Sequence, residues 1–192
     1  PNPDLQPETM DMYEASLSKS FFDDKWTNEL TVFMAEGDNI IQLIPNDQPF
    51  PPMKRVNTGS FSHKGLEFQT GVRPVQNLSI SGNYSYLSME EPRLAAPEHQ
   101  LSIATDYQWK QLRFHAGLQH IAGLYTALAS MPAFSENMTE SYTTLDARIS
   151  YRLNNTFSFY LEGHNLLNQD YAINAGYPMP GMNFNGGFKI NY

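Results

Sequence analysis

The chain contains no cysteine among its 192 residues, which excludes disulfide bonds and thiolate metal sites. Basic residues are also scarce, because 12 Lys and Arg stand against 20 Asp and Glu and give a net charge of −8. A surface with that balance does not suit a phosphate backbone, so nucleic acid is not expected as a partner.

Long apolar runs are missing as well. No segment approaches the roughly 20 apolar residues of a membrane helix, and the most apolar stretch, residues 121–134, is interrupted by Gly, Thr, Ser and Pro. Insertion as a helix is therefore excluded, whereas a membrane β-barrel stays possible because each of its strands gives only a weak hydropathy signal. No signal peptide is visible, so we expect a mature product or a fragment.

What the chain does contain is repeated alternation of apolar and polar residues, the period of a strand with two different faces. Nine segments show it: residues 13–21, 29–34 (more weakly), 66–73, 78–86, 100–109, 112–119, 145–152, 157–162 and 183–192. Most extend to about the 9–11 residues that cross a membrane as a strand. Strands of globular proteins are usually shorter, at about 5–6 residues.

The connections alternate between short and long. Short polar turns fall at residues 23–25, 74–76, 110–111 and 154–155, and long connections at 37–60, 89–97, 123–140 and 165–181. Outer-membrane barrels have tight periplasmic turns and long extracellular loops, whereas a soluble β-sandwich gives no reason for such a rhythm. The sequence therefore predicts an all-β, transmembrane antiparallel barrel with about nine long strands.

Aromatic residues cluster near both ends of these strands, as in the interfacial girdles of membrane proteins; the alternative is that aromatics are common in any strand. Six apolar residues are expected to face lipid: Leu145, Ile149, Phe159, Leu161, Phe188 and Ile190. Eight charged residues are expected to project inward and pair with one another or with another domain: Glu67, Arg73, Asp106, Arg113, Asp146, Arg148, Arg152 and Glu162.

Three motifs resemble one family in the right order. "NPDLQPE" at residues 2–8 precedes a long strand, "HKGLEFQTGVRP" at 63–74 follows a long loop, and "EGHNLLNQDYAINAGYPMPGMNF" at 162–184 leads into the final strand. The set is similar to TonB-dependent outer-membrane receptors, and the aromatic end at Tyr192 is similar to the terminus that outer-membrane assembly recognises.

The resemblance implies a barrel of about 22 strands around an N-terminal plug domain. Residues 1–192 would then be the C-terminal part of such a barrel, without the plug; a nicked product or a complete small barrel are the alternatives. The implied location is the outer membrane of a Gram-negative bacterium. The implied partners are outer-membrane lipid, the remaining barrel and plug, the TonB complex acting through the plug, a surface lipoprotein and a micronutrient ligand.

Two further segments, "INAGYPMPG" at residues 173–181 and "AAPEHQLSIATDYQWKQLRFHAGLQHIAGLYTA" at 95–127, look most like receptors of gut Bacteroidetes associated with cobalamin uptake. The resemblance implies cobalamin as the first expected ligand, with haem or a ferric siderophore as the alternative. Aromatic and Met residues of two long loops are the candidate contacts, because they offer apolar area and adaptable shape. They are Tyr125, Met131, Phe134, Tyr177 and Met179. The alternative is that these residues pack the loops together or against a plug or a lipoprotein lid.

No catalytic or metal site is expected. His115 and His120 are five residues apart and so face opposite sides of a strand, a poor metal pair. Four Met residues without Cys or paired His give weak support for copper, and no cofactor is implied. The expected function is binding and energised uptake rather than catalysis, with a barrel enzyme or a structural surface module as the other classes.

Removal of Tyr192 should impair membrane assembly of the full receptor far more than its synthesis, because the aromatic residue ends a strand that closes the barrel. The measurement compares surface and total receptor levels in cells with and without the truncation. Normal surface levels of the truncated receptor would contradict the prediction.

Overall fold

The computed structural model describes residues 2–46, 52–131 and 133–191, and nine long strands lie within them. These are β1 Thr9–Phe21, β2 Trp26–Pro45, β3 Met53–Val75, β4 Leu78–Met89, β5 His99–Trp109, β6 Leu112–Ala127, β7 Met138–Arg152, β8 Phe157–His164 and β11 Asn183–Ile190. A small pair, β9 Ala172–Asn174 and β10 Tyr177–Pro178, lies in the connection before β11. The described residues include no helix with the length and apolar character needed to cross a membrane.

Each long strand pairs antiparallel with the next, in the order β1-β2-β3-β4-β5-β6-β7-β8-β11. The expected all-β architecture of nine long antiparallel strands is confirmed. Within the described residues, β1 pairs on one side with β2, and β11 pairs on one side with β8. The sheet therefore has two open edges.

Away from the ends of the strands that carry the long connections, the register brings most apolar residues onto one side of the sheet, called here the outer face. Trp109, Leu112, Tyr151, Phe159 and Phe188 are successive cross-strand partners, and directly paired residues share a face. All six residues expected to face lipid lie on this outer face, with Leu161 54% and Phe188 66% exposed. The alternation prediction is thus confirmed.

The opposite side, the inner face, is polar along most of its length. Asp106, His115, Arg148, Glu162 and Asn185 form one row of successive partners. The Arg148 Nη1 and Glu162 Oε2 atoms are 2.9 Å apart, and His115 Nδ1 lies 3.2 Å from Asp106 Oδ1. Of the eight charged residues expected to project inward, Arg148 and Glu162 thus pair with each other, and Asp106 pairs with a histidine; such exposed pairs contribute little to stability.

The short turns lie at one end of the sheet, the turn end, and the long connections at the other, the mouth end. At the turn end, Phe22, Asp23 and Asp24 have positive φ values of 57°, 55° and 61°. At the mouth end, the Tyr86 and His99 rings are in tilted contact with their centroids 5.0 Å apart. Near the turn end, the Tyr107 and Phe114 centroids are 6.2 Å apart, so aromatics mark both ends of the strands.

Two long connections are shorter than the sequence predicted, so those boundaries were wrong. Strand β2 continues to Pro45 and β3 begins at Met53, inside the predicted 37–60 loop. The pairing shifts register between Gly37 and Ile40, next to Asn39 at φ 58°. This bulge breaks the alternation without ending the strands. The predicted loop of residues 123–140 is likewise partly strand, because β6 runs to Ala127 and β7 begins at Met138.

The extended β2–β3 hairpin is bound by residues that precede β1. Asn57 accepts a hydrogen bond from the Gln6 amide at 2.8 Å and donates one to the Gln6 carbonyl at 2.9 Å. The Glu8 carboxylate accepts the Ile41 amide at 2.8 Å, just beyond the bulge. Tyr192, which is expected to act in membrane assembly, lies outside the described residues.

Replacing Ile149 with Arg should destabilise the barrel by about 2–4 kcal/mol, because a charged side chain would then face hydrocarbon. Ser150 is the matched control, since it is adjacent on β7 but faces inward, and Ser150→Arg should be tolerated. The measurement is the free energy of unfolding of the full-length receptor in lipid vesicles. Equal costs for the two substitutions would reject the assignment of faces.

Candidate functional site

The inner face changes chemistry towards the mouth end of β1–β4. Below that end, cross-strand rows such as Ser16, Thr31, Glu67 and Ser85 are polar. The rows nearer the mouth are rich in aromatic and Met side chains, and the register places the following residues on the same inner face. They are Met10, Met12, Phe33, Phe61, His63, Leu87 and Met89. We call this set, together with Arg93, the mouth patch.

Three side chains of the mouth patch form a stack. The Phe61 and His63 rings lie 4.7 Å apart at 25°, and the Arg93 guanidinium lies 5.2 Å from the Phe61 centroid. Arg93 belongs to the β4–β5 connection, which is tied to β3 by the Glu90 amide donating to the Ser62 carbonyl at 3.2 Å. The stack therefore presents an exposed cation over an aromatic surface, a favourable arrangement.

Two glycines allow the rings to lie close to the sheet. Gly37 lies beneath the Phe61 ring, and Gly65 beneath the Phe33 ring. A Cβ atom at Gly65 would also come within 2.6 Å of the Tyr86 carbonyl oxygen. Neither position has room for a side chain, so the backbone itself forms the floor under these rings.

A second apolar cluster lies on the inner face of β6 and β7. Ile121 and Tyr142 are direct partners and form a buried core with Leu124, against which Tyr171 and Ile173 pack. The Tyr142 and Tyr171 rings are 4.0 Å apart at 26°. The final long connection, residues 165–182, is therefore folded inward over the wall.

The base of that connection is fixed by Asp146. One carboxylate oxygen accepts the Asn165 amide at 2.9 Å, and the other accepts His164 Nδ1 at 3.2 Å. Asn165 is only 4% exposed and has φ 49°, a left-handed conformation that Asn tolerates better than most residues. Its side chain accepts the Gln169 amide at 2.9 Å and donates to the Pro180 carbonyl at 3.1 Å.

The predicted ligand contacts lie in different settings. Tyr177 is 76% exposed in β10, and Met179 is half-buried with its amide donating to the Tyr171 carbonyl at 2.9 Å. Met131 and Phe134 lie in two consecutive turns after β6, both half-buried. The last loop meets the end of β6, just before the loop of Met131 and Phe134, where the Ala175 amide donates to the Thr126 carbonyl at 3.0 Å.

Tyr125 lies on the other side of the wall. Leu124 pairs with Glu140 and Tyr125 with Thr139, so the two consecutive side chains point to opposite faces. Because Leu124 packs in the inner cluster, Tyr125 lies on the outer face. The structure thus separates Tyr125 from the inner surface that Tyr171 and Ile173 cover.

The histidines do not converge on a metal. His115 pairs with Arg148 on the inner face, whereas His120 Nδ1 contacts Thr143 Oγ1 at 2.8 Å on the outer face. In residues 2–46, 52–131 and 133–191, no cluster of three or more His, Asp or Glu side chains is placed to hold a metal ion.

Sequence reasoning missed the mouth patch and the inner cluster. One signal was available, because Phe33 occupies a polar position in the weakest of the nine alternations. No local pattern in the sequence predicts that residues 165–182 fold inward, because this fold depends on the contact between Tyr142 and Tyr171, which are 29 positions apart.

Comparison with known proteins gives a consistent family. The model of a family described as TonB dependent receptor-like, beta-barrel, matches residues 1–166. An iron-regulated outer membrane virulence protein of Vibrio cholerae serotype O1 is 26% identical over 194 aligned positions, covering 88% of this chain and 28% of that protein.

Solved structures of outer-membrane receptors share the fold, among them the following two. The ferric-catecholate import receptor Fiu from E. coli K12 has a TM-score of 0.78 at 19% identity, covering 100% of this chain and 29% of Fiu. FpvA of P. aeruginosa, bound to a ferric pyoverdine, has a TM-score of 0.80 at 17% identity, covering 97% and 27%. The chain thus spans less than a third of the length of each of these proteins.

Gly65→Ala should destabilise the fold by roughly 1–3 kcal/mol, because the new methyl group would displace Phe33 and press on the Tyr86 carbonyl. Gly117→Ala is the matched control, since its nearest atom would be His115 Nε2 at 3.9 Å. Unfolding free energies of the two variants provide the comparison. If both alanines cost the same, the close approach of Phe33 to the backbone would be wrong.

Proposed function

The chain belongs to the TonB-dependent receptor β-barrel family, and on that premise we propose that it forms part of a receptor that binds and imports a ferric siderophore. Members of the family are outer-membrane proteins of Gram-negative bacteria, and this chain is one of them. The proposal assigns the inner face to the wall of the import pathway. It assigns the mouth patch and residues 165–182 to ligand capture.

We propose that the receptor is longer than the 192 residues described by this sequence. The open edges of β1 and β11 support this, because an unpaired strand edge in hydrocarbon leaves backbone groups unsatisfied at several kcal/mol each. Further strands would pair with both edges. A plug domain would fill the lumen and transmit the action of TonB, since the outer membrane has no ATP of its own.

The iron-linked relatives favour a siderophore over cobalamin, which the sequence analysis placed first. Fiu is a ferric-catecholate receptor, FpvA binds ferric pyoverdine, and the Vibrio cholerae protein is iron-regulated. None of these three is named for cobalamin. The proposed activity is binding and transport without turnover.

The observation that carries the proposal is the cation over aromatic rings at the mouth. Ferric siderophores are large, often anionic and rich in planar or apolar groups. The exposed Arg93 guanidinium, held over Phe61, offers a charge to the anion, and the neighbouring rings offer apolar area. The inner wall below is polar, which suits passage more than tight binding.

The other proposed partners, lipid and a surface lipoprotein, are assigned to different surfaces of the sheet. Lipid would contact the outer face, where the apolar rows of β4–β8 and β11 lie. A surface lipoprotein, also expected from the sequence, would have to meet the mouth end, where Tyr177 and the β2–β3 hairpin are exposed. Met131 and Phe134 remain proposed ligand or loop-packing residues on the same end.

Arg93→Ala should weaken ferric siderophore binding about tenfold or more, because a hydrogen bond to a charged group contributes about 1.5–3 kcal/mol. The assay is titration of ferric catecholate, ferric pyoverdine, haem and cobalamin into detergent-solubilised full-length receptor. Arg152→Ala is the control, since Arg152 lies on the inner face at the turn end of β7.

Failure of every ferric siderophore to bind below about a micromolar dissociation constant would reject the ligand class. Tighter binding of cobalamin than of any ferric siderophore would restore the first expectation from the sequence. Equal affinities of Arg93→Ala and wild type would reject the mouth patch as the site.

A further inference from the structure

The connection of residues 165–182 is attached to the inner wall at three separate points. Its base is bound by Asp146, its middle lies on Tyr142, and its tip is bound where the Ala175 amide donates to the Thr126 carbonyl. Asp146 and Tyr142 are both on β7, four residues apart, and therefore on the same face. Strand β7 thus contacts the loop at two positions along its length.

The base contact sets the direction in which the chain leaves β8. Asp146 accepts hydrogen bonds from two consecutive residues, the His164 side chain and the Asn165 backbone. Asn165 then turns the chain in its left-handed conformation and is almost completely buried. Without the carboxylate, the Asn165 amide would lose its partner at the point where the chain turns inward.

The middle contact explains an exception to the pattern of the wall. Tyr142 occupies an inner-face position in line with Thr144 and Asp146, both polar. It is only 8% exposed, because Tyr171 covers it. An aromatic side chain at a position that would otherwise face water is accounted for by the loop that packs on it.

Hydrogen bonds within residues 165–182 also connect distant parts of the loop to one another. Asn168 Oδ1 accepts the Met182 amide at 2.9 Å, and Asn165 Nδ2 donates to the Pro180 carbonyl. Strands β9 and β10 pair, and the Met179 amide donates to the Tyr171 carbonyl. Whatever holds Tyr171 therefore also places Tyr177 and Met179.

We propose that Tyr142 and Asp146 are positioning residues that hold residues 165–182 inward across the mouth and so place Tyr177 and Met179 in the path of the ligand. This inference rests on the proposed function for its effect on affinity. The position of the loop itself is a separate, ligand-independent claim.

Spin labels can measure that position directly. The chain has no cysteine, so labels can be attached at two introduced ones, Asn174→Cys in the loop and Ser88→Cys on β4, both exposed positions. The experiment uses the full-length receptor with any cysteine outside this chain replaced. Double electron–electron resonance then gives the distance distribution between the two labels.

Wild type should give one narrow distribution. Tyr142→Ala, Asp146→Ala and Tyr171→Ala should each broaden it and shift its mean, and each should raise the dissociation constant for a ferric siderophore about tenfold. Tyr142→Phe keeps the ring stack and should behave as wild type. Thr144→Ala, between the two anchors on the same face, is the matched control and should also change neither readout.

Tyr171→Ala alters the loop and not the wall, so it tests the contact even where a β7 variant fails to assemble. Unchanged distances in Tyr171→Ala and in whichever β7 alanine variant assembles would overturn the proposal. So would shifted distances with unchanged affinity, because the loop would then not place ligand contacts. If wild type binds no ferric siderophore, the proposed function fails, and the distances alone decide whether these residues hold the loop.

Discussion

Backbone hydrogen bonding across hydrocarbon is the constraint on which the rest of this structure depends. Lipid offers no partner to an amide or a carbonyl, so each strand must pair with its neighbours along the whole membrane-spanning length. Pairing fixes the register, and a slip of one residue would turn every side chain of a strand to the wrong face. The outer-face row through Phe114, Ile149 and Leu161 exists because β6, β7 and β8 are held in one register.

The same constraint allows the residue types of the inner face to change along the strands, from the turn end to the mouth end. In the proposed receptor this face would not meet lipid, so its side chains would contact water, other parts of the receptor and the ligand. Near the turn end and the middle it carries paired charges such as Arg148 and Glu162. Near the mouth it carries Phe33, Phe61 and Tyr142, which need cover or a ligand. In the proposed receptor, this change in chemistry along one face would separate the wall of the import pathway from the site of ligand capture.

How much the sequence could predict follows from the range of each signal. The nine strands were predictable, because alternation is local and Leu145, Ala147 and Ile149 show it in five residues. Strand ends at the mouth were not, because the bulges at Asn39 and Gly123 break the alternation while pairing continues. The inward loop was not predictable either, since Tyr171 on Tyr142 and Asn165 on Asp146 are contacts between distant positions. Tyr125 is an example: it lies in β6 beside a bulge and faces outward, although the sequence placed it in a long loop.

At the mouth end, backbone hydrogen bonds link the connections to neighbouring strands. The Glu90 amide bonds to Ser62, the Ala95 amide to Tyr125, and the Ala175 amide to Thr126, each at 3.0–3.2 Å. These bonds link β3, the β4–β5 connection, β6 and residues 165–182 in sequence. Arg93 lies in the β4–β5 connection between Glu90 and Ala95, so it is placed between the bond to β3 and the bond to β6, which also bears the tip of the last loop. The mouth patch and the inward loop thus belong to one hydrogen-bonded rim.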